Sequence, residues 1–185
     1  MGRLHSQLAR FEDAFPGFRT EIVEGNVVAY PVRPFDGSTV HAVWNAVESQ
    51  LPSGHAPVTD VAFPFDHAHE FCPDIAVIPA EAEAENRISY PPDLIEFVAE
   101  VVSPESIRRD YELKPRWYAA RGIPNYLVLD PLKGHVVTMW NPGSDGYLGR
   151  DTIPYGPELI VHSPLGKLTV PTSRLPVHPE APHPA

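Results

Sequence analysis

The chain has 185 residues, enough for one domain with a sizeable core, and its apolar fraction of 43% is that of a globular protein. A net charge of −10 argues against a tight, non-specific grip on duplex DNA, which needs a basic surface, yet leaves room for an enzyme whose acidic centre holds a cation. The lone Cys72 excludes an intrachain disulfide, and no apolar run has signal-peptide or membrane-span length, so a soluble, cytoplasmic protein with no membrane partner is expected.

Alternation in TEIVEGNVVAYPV (20–32) predicts a hairpin turning at Glu24-Gly25-Asn26. Val40, Val43, Trp44, Val47 and Leu51 then recur at helical spacing until Pro52. This predicts an amphipathic helix, capped by Asp36 or Ser38. VTDVAFPF (58–65) and FCPDIAVIP (71–79) are short β-rich runs, and AEAEAEN (80–86) is an acidic loop or short helix. DLIEFVAEVVS (93–103) is long, apolar and β-branched, as a central strand should be. The following amphipathic segment ends at Gly122, a good helix stop. Pro115 is unwelcome in a helix interior, so either a helix begins near Lys114 or a first segment ends there.

NYLVLD (125–130) and HVVTMW (135–140) are strands around the turn PLKG. GYLGRDTIPYG (146–156) and ELIVHSPLGKLTV (158–170) make the C-terminal part β-rich. The order of elements predicts an α/β core with a mixed β-sheet flanked by helices. A single domain is expected over residues 1–175, followed by a Pro-rich, disordered tail over 176–185.

The chemistry concentrates in two strands. CPDIAVIP and LIEFVAEVVS are joined by a short connection, which makes them antiparallel neighbours. Opposed residue numbers then have a constant sum. Setting Asp74 opposite Glu100 sets Ala76 opposite Val98 and Ile78 opposite Glu96, and period two keeps all six on one face. Two carboxylates meeting at one end of a hairpin suit a hard divalent cation such as Mg²⁺ or Mn²⁺. Such a cation polarises a phosphodiester and acidifies a bound water. Lys114, 14 residues beyond Glu100 at an expected helix start, is the best-placed lysine to orient that water or stabilise developing charge.

The stretch from Pro73-Asp74 to Asp130-Pro131 resembles a large bacterial restriction-endonuclease-domain family, the Uma family, grouped with the PD-(D/E)XK nucleases. The resemblance is carried by Pro73-Asp74, Pro91-Pro92-Asp93-Leu94, Glu100-Val101-Val102-Ser103-Pro104, Arg109-Asp110, Lys114, Tyr118-Ala119-Ala120-Arg121-Gly122-Ile123-Pro124 and Asp130-Pro131. It covers about residues 10–175 and includes the hairpin TEIVEGNVVAYP and His41. It implies a restriction-endonuclease-like α/β fold and a metal-dependent endonuclease that hydrolyses phosphodiester bonds of nucleic acid, DNA foremost. Asp74 and Glu100 carry over as metal ligands for Mg²⁺ or Mn²⁺, and Lys114 as the catalytic lysine. Glu21, which matches a recurrent family acid, and His41 are candidate assistants. Nucleases of this fold often work as two-fold pairs, which makes a homodimer admissible.

Two departures stand out. The lysine position two residues after the second acid in the usual superfamily pattern is Val102 here, so the lysine must arrive from the adjoining helix. Asn26 stands where many relatives place a glutamate after the turn glycine.

Other readings compete. His67, His69 and Cys72 are zinc-type ligands, but their spacing fits no zinc module and a fourth ligand is missing. Glu96 lies about 13 Å along the strand from Glu100, too far to share one ion, and is expected to meet Arg87, Arg108 or water. Asp110, at i,i+4 from Lys114, is expected to pair with it or to cap the helix. Trp117 and Tyr118 read as packing residues. Two further functions compete with the nuclease: a catalytically degenerate nuclease fold serving as an interaction or regulatory module, and a metal-dependent hydrolase of another substrate.

Overall fold

A computed structural model of the chain describes residues 3–14, 17–156 and 158–179. It opens with a helix that the hydropathy pattern had not flagged, α1 (Arg3–Ala14). Leu4, Leu8 and Phe11, at helical spacing, are half-buried, and α1 lies against the hairpin that follows, β1 (Phe18–Val23) and β2 (Asn26–Pro31). That hairpin turns on two residues, Glu24 and Gly25, both at positive φ (50° and 76°). This backbone matches the twist of the strands it joins, and glycine adopts it freely. Asn26 is therefore the first residue of β2, opposite Val23.

Helix α2 (Pro34–Glu48) starts two residues before the expected cap. Pro34 suits the first turn, where its missing N–H costs nothing. Asp36 is inside the helix, and its carboxylate accepts the Arg33 backbone N–H at 3.1 Å. Ser38 likewise lies within it and donates its hydroxyl to the Pro34 carbonyl.

Short strands β3 (His55–Val58), β4 (Phe63–Pro64), β5 (Glu70–Phe71) and β6 (Ile75–Pro79) follow, then the single-turn α3 (Ala80–Glu83). The predicted central strand is shorter than its apolar run: residues Pro92–Leu94 form a 3₁₀ turn and β7 covers Phe97–Val101. Pro91 and Pro92 explain this, because each lacks a ladder donor. A π-helical segment, Arg109–Leu113, leads into α4 (Lys114–Ala120), so both alternatives at Lys114 are realised at once. Pro115 can neither donate to the carbonyl four residues back nor clear it, and the widened turn accommodates the ring. Gly122 (φ 71°) ends α4 and returns its N–H to Ala119. Three strands and a hairpin complete the chain: β8 (Asn125–Asp130), β9 (His135–Gly143), β10 (Gly146–Pro154), then β11 (Glu158–Ser163) with β12 (Gly166–Pro171).

The fold is mixed α/β. Six strands form the main sheet in the order β10-β9-β8-β7-β6-β3. Within this sheet, among the described residues, only β7 and β8 run parallel; the π segment and α4 supply the crossover that a parallel pair requires. A four-stranded sheet, β2-β1-β5-β4, and the β11-β12 hairpin complete the architecture.

The main sheet divides the interior in two. On one face, Ile75, Val77, Phe97, Ala99, Leu127 and Leu129 pack against α2 and the β11-β12 hairpin. Gln50, just past α2, ties these two covers together through hydrogen bonds to both backbone groups of Thr169. On the other face, Ala76, Ile78, Val98, Tyr126 and Val128 meet aromatic residues of the small sheet and α4. Past Leu175 the described chain continues to Pro179, with the His178 N–H bonded to the Pro131 carbonyl at 2.8 Å; residues 180–185 of the expected tail lie outside the described residues.

Candidate active site

Chain connectivity places the first acid. Strand β5 belongs to the small sheet and β6 to the main sheet, and Cys72-Pro73-Asp74 is the link between them. The β6–β7 ladder pairs Ile75 with Ala99, Ala76 with Val98 and Val77 with Phe97. Its constant sum puts Asp74 across from Glu100, as the alternation predicted. The Asp74 N–H faces Glu100 Oε2 at 3.4 Å, and the Val101 N–H donates to Asp74 Oδ2 at 2.7 Å. Arg19, from β1, donates to Asp74 Oδ1 and also sits 3.1 Å from Asp60.

Lys114 reaches the same place from the start of α4 and is 1% exposed. Its Nζ lies 2.9 Å from Glu100 Oε1, 2.9 Å from Glu21 Oε1 and 3.4 Å from Asp110 Oδ1. Tyr118, one helical turn on, donates its hydroxyl to Glu100 Oε1 at 2.7 Å. Glu21 also accepts the Cys72 backbone N–H, while its other oxygen lies 3.4 Å from Arg109 Nε. Ser106 donates to Asp110 Oδ2.

The electrostatics follow from burial and crowding. Burial pushes the Glu100 carboxyl up to about 7, and the Asp110 and Glu21 charges add to that, against the lowering pull of Lys114. Asp110 is raised for the same first reason. Burial alone would discharge Lys114, but Glu100, Glu21 and Asp110 outweigh it and hold the ammonium charged well above its ordinary range. Four carboxylates thus face three cations, Lys114, Arg19 and Arg109.

A small pocket of about 20 Å³ opens among Arg19, Tyr30, Asp74, Glu100, Asp110 and Lys114. That is room for one water-sized occupant. The donor set fits a hard cation in kind, because every anionic donor is a carboxylate oxygen. Glu21 Oε2 and Asp110 Oδ1 are buried without a hydrogen bond among the described residues, and each has only a 3.4 Å ion-pair contact, to Arg109 and Lys114 respectively. Among the described residues, however, no three His, Cys, Asp or Glu side chains are grouped to hold an ion by themselves. Asp74 and Glu100 would be the protein's share of a coordination shell completed by water or substrate.

Other expected assignments are revised. His41 is exposed on α2 and engages Asn45, away from the pocket. Asn26 spends its side chain on the turn, donating to the Glu24 carbonyl. Glu96 meets His55 at 3.1 Å; Arg87 and Arg108, its expected partners, take Glu85 and Glu24. The His67, His69 and Cys72 set does not assemble. His69 pairs with Asp66 and lies against Trp117, and the buried Cys72 thiol is pushed up to about 12. Tyr118 is more than a packing residue, since it holds Glu100. Arg19 escaped notice, although strand alternation puts it on the Glu21 face of β1.

Family models match residues 6–173 to Uma2, "Putative restriction endonuclease". The chain belongs to this family. It is similar to a solved structure, a putative nuclease belonging to DUF820 from Anabaena variabilis ATCC 29413, with 17% identity and a TM-score of 0.58. The match covers 85% of this chain and 88% of that one, and at this identity it speaks for the restriction-endonuclease-like fold. No curated protein matches the chain. No helix among the described residues is long and apolar enough to cross a membrane. The Uma2 match spans β1, which carries Glu21, the β6–β7 pair and the Lys114 helix, so every element lining the pocket lies within it.

Proposed function

We propose that the chain is a metal-dependent endonuclease that hydrolyses phosphodiester bonds of nucleic acid, DNA foremost, in the cytoplasm. The observation that carries this reading is the convergence of Asp74, Glu100 and Lys114 at one small pocket. Asp74 and Glu100 would hold Mg²⁺ or Mn²⁺, which when bound supplies a polarised phosphodiester and an acidified water. Val101 orients Asp74 through its N–H, and Tyr118 with Lys114 orients Glu100. Lys114 is, among the described residues, the one fully enclosed cation beside the pocket, and in that low-dielectric setting it stabilises negative charge on a phosphate more than an exposed lysine would. Glu21 and Asp110 keep it charged and fix its position, and so act as positioning residues.

Calorimetric titration with Mn²⁺ tests the metal site. One binding event is expected, lost in Asp74→Ala; identical titrations of the two proteins would sink the assignment. Incubation with duplex DNA, single-stranded DNA and RNA then tests cleavage. One observation favours a second reading: Arg19 already neutralises Asp74 from within the chain. A nuclease-fold module without catalysis would keep that pair, bind no Mn²⁺ and cut none of the three substrates.

A further inference from the structure

A second and larger concavity adjoins the acidic pocket. It is a cleft of about 490 Å³ walled by Pro31, Pro34, Phe35, Pro104, Pro131 and Leu132. Pro31 and Asp36 line both spaces, so the cleft opens directly beside the site where a phosphodiester would sit. Its size is that of small-molecule sites, and its walls are mainly proline rings, Phe35 and aliphatic groups, with Arg33, Asp36 and His178 as the polar members. Phe35 is 41% exposed in the first turn of α2, where a folded chain gains little by showing an aromatic ring to water.

The charges around the mouth narrow the choice of occupant. Arg33, which lines the cleft, faces Glu105, and Arg19, which lines the adjoining pocket, faces Asp60 and Asp74. Each of these cations is matched by an acid, on a chain whose net charge is −10. Such a surface offers little counterion release, which supplies most of the affinity for a duplex backbone. Affinity must come from elsewhere, and an unpaired nucleobase has a π-face that stacks on rings such as Phe35 without regard to sequence. A base inside a duplex cannot reach such a cleft.

We propose that this cleft binds an unpaired nucleobase next to the scissile phosphate, making single-stranded nucleic acid the preferred substrate class. The exposed Arg33–Glu105 pair, worth little in water, would free Arg33 for the adjoining phosphate. The proposal rests on the nuclease reading above.

The test is fluorescence-anisotropy titration of the full chain with labelled single-stranded DNA, single-stranded RNA, duplex DNA and an abasic single strand, in Ca²⁺ to prevent turnover. Single strands with bases should bind about ten-fold or more tightly than duplex or abasic strand. Phe35→Ala should weaken them by about 5- to 100-fold, the range for loss of one stacked base. Phe35→Trp should retain binding, which a purely structural role would not require, and thermal melts check that both variants fold. The DNA and RNA arms show which sugar the site takes. Equal affinity for duplex and single strand, or Phe35→Ala binding like the parent, would overturn the cleft assignment. So would a change of oligomeric state in Phe35→Ala without a change in binding, which would make the cleft a contact between copies. Mn²⁺ calorimetry separates the two levels: metal binding without base discrimination overturns the cleft alone, whereas neither metal nor nucleic acid bound overturns both.

Discussion

The two faces of the main sheet are built from the same strands and solve opposite problems. Toward α2 and the β11-β12 hairpin, odd-numbered residues of β6 and β7 bury only hydrocarbon: Ile75, Val77, Phe97, Ala99 and Val101. Toward the small sheet and α4, the even-numbered residues begin the same way, with Ala76, Ile78 and Val98, but end in Asp74 and Glu100. One face takes its stability from area removed from water, roughly 1.5–3 kcal/mol per large side chain. At its edge the other holds a charged cage whose desolvation costs several kcal/mol per ion, offset only while partners stay in place. A stability contribution is general and redundant; a buried charge cage is specific, and its survival within a core points to chemistry.

Mutations can break this contrast. Lys114→Met removes the ammonium from Glu100, Glu21 and Asp110 and should cost about 3–5 kcal/mol at neutral pH, read by urea denaturation. The loss should shrink in acid, where the stranded carboxyls take up protons. Leu127→Ala, in the middle of the apolar face, should cost about 2–5 kcal/mol through the cavity it leaves. That loss should not change with pH. A Lys114→Met penalty that is equally flat with pH would remove the electrostatic account of the cage.

The parent protein should show a milder pH signature in metal-free buffer. Glu100 titrates at about 7 in the folded chain, against 4.5 ordinarily, chiefly through burial. A raised acid is bound to its proton more tightly when folded, so its stabilisation is present below pH 4.5 and lost as pH rises through 7. Asp110 shifts in the same direction. The urea midpoint should therefore fall between those pH values, and Glu100→Gln should flatten the slope; an unchanged slope would contradict the assignment. The smallest effect concerns Arg19. Arg19→Gln frees Asp74 Oδ1 and should tighten Mn²⁺ binding several-fold by calorimetry. Weaker binding would mean that Arg19 organises the site instead of competing for it.

Much of this architecture was legible before any coordinates. Period-two alternation and a short connection put Asp74 and Glu100 on one face of neighbouring strands, and the register that opposes them was one self-consistent choice, which the ladder realises. The i,i+4 spacing of Asp110 and Lys114 announced their pairing. Other parts were hidden. Arg19 lies in a separate sheet, as does Glu21, which only the family resemblance offered as an assistant; no local pattern states that β1 brings both to Asp74 and Lys114. Tyr118 looked like one more aromatic in a helix, since only its neighbour decides whether its hydroxyl has work to do. His41 failed as an assistant for the converse reason: a side chain on the right element still has to face the right way. Glu96 did stay out of the site, but its basic partner is His55, from the edge strand β3, in place of the arginines named for it.

By itself, then, the sequence determined the shared strand face of two acids, the helix that brings the lysine, and the family to which the chain belongs. Those features depend on residues near one another in the chain or on a fixed period. Tertiary structure alone decided that Arg19 and Tyr118 close the cage, which partners Glu21 takes there, and that an apolar cleft opens beside it. All follow from packing one sheet against another, where contacts join residues as far apart as Arg19 and Asp74. Burial in that junction, more than any single motif, turns ordinary carboxylates into a site with shifted proton affinities.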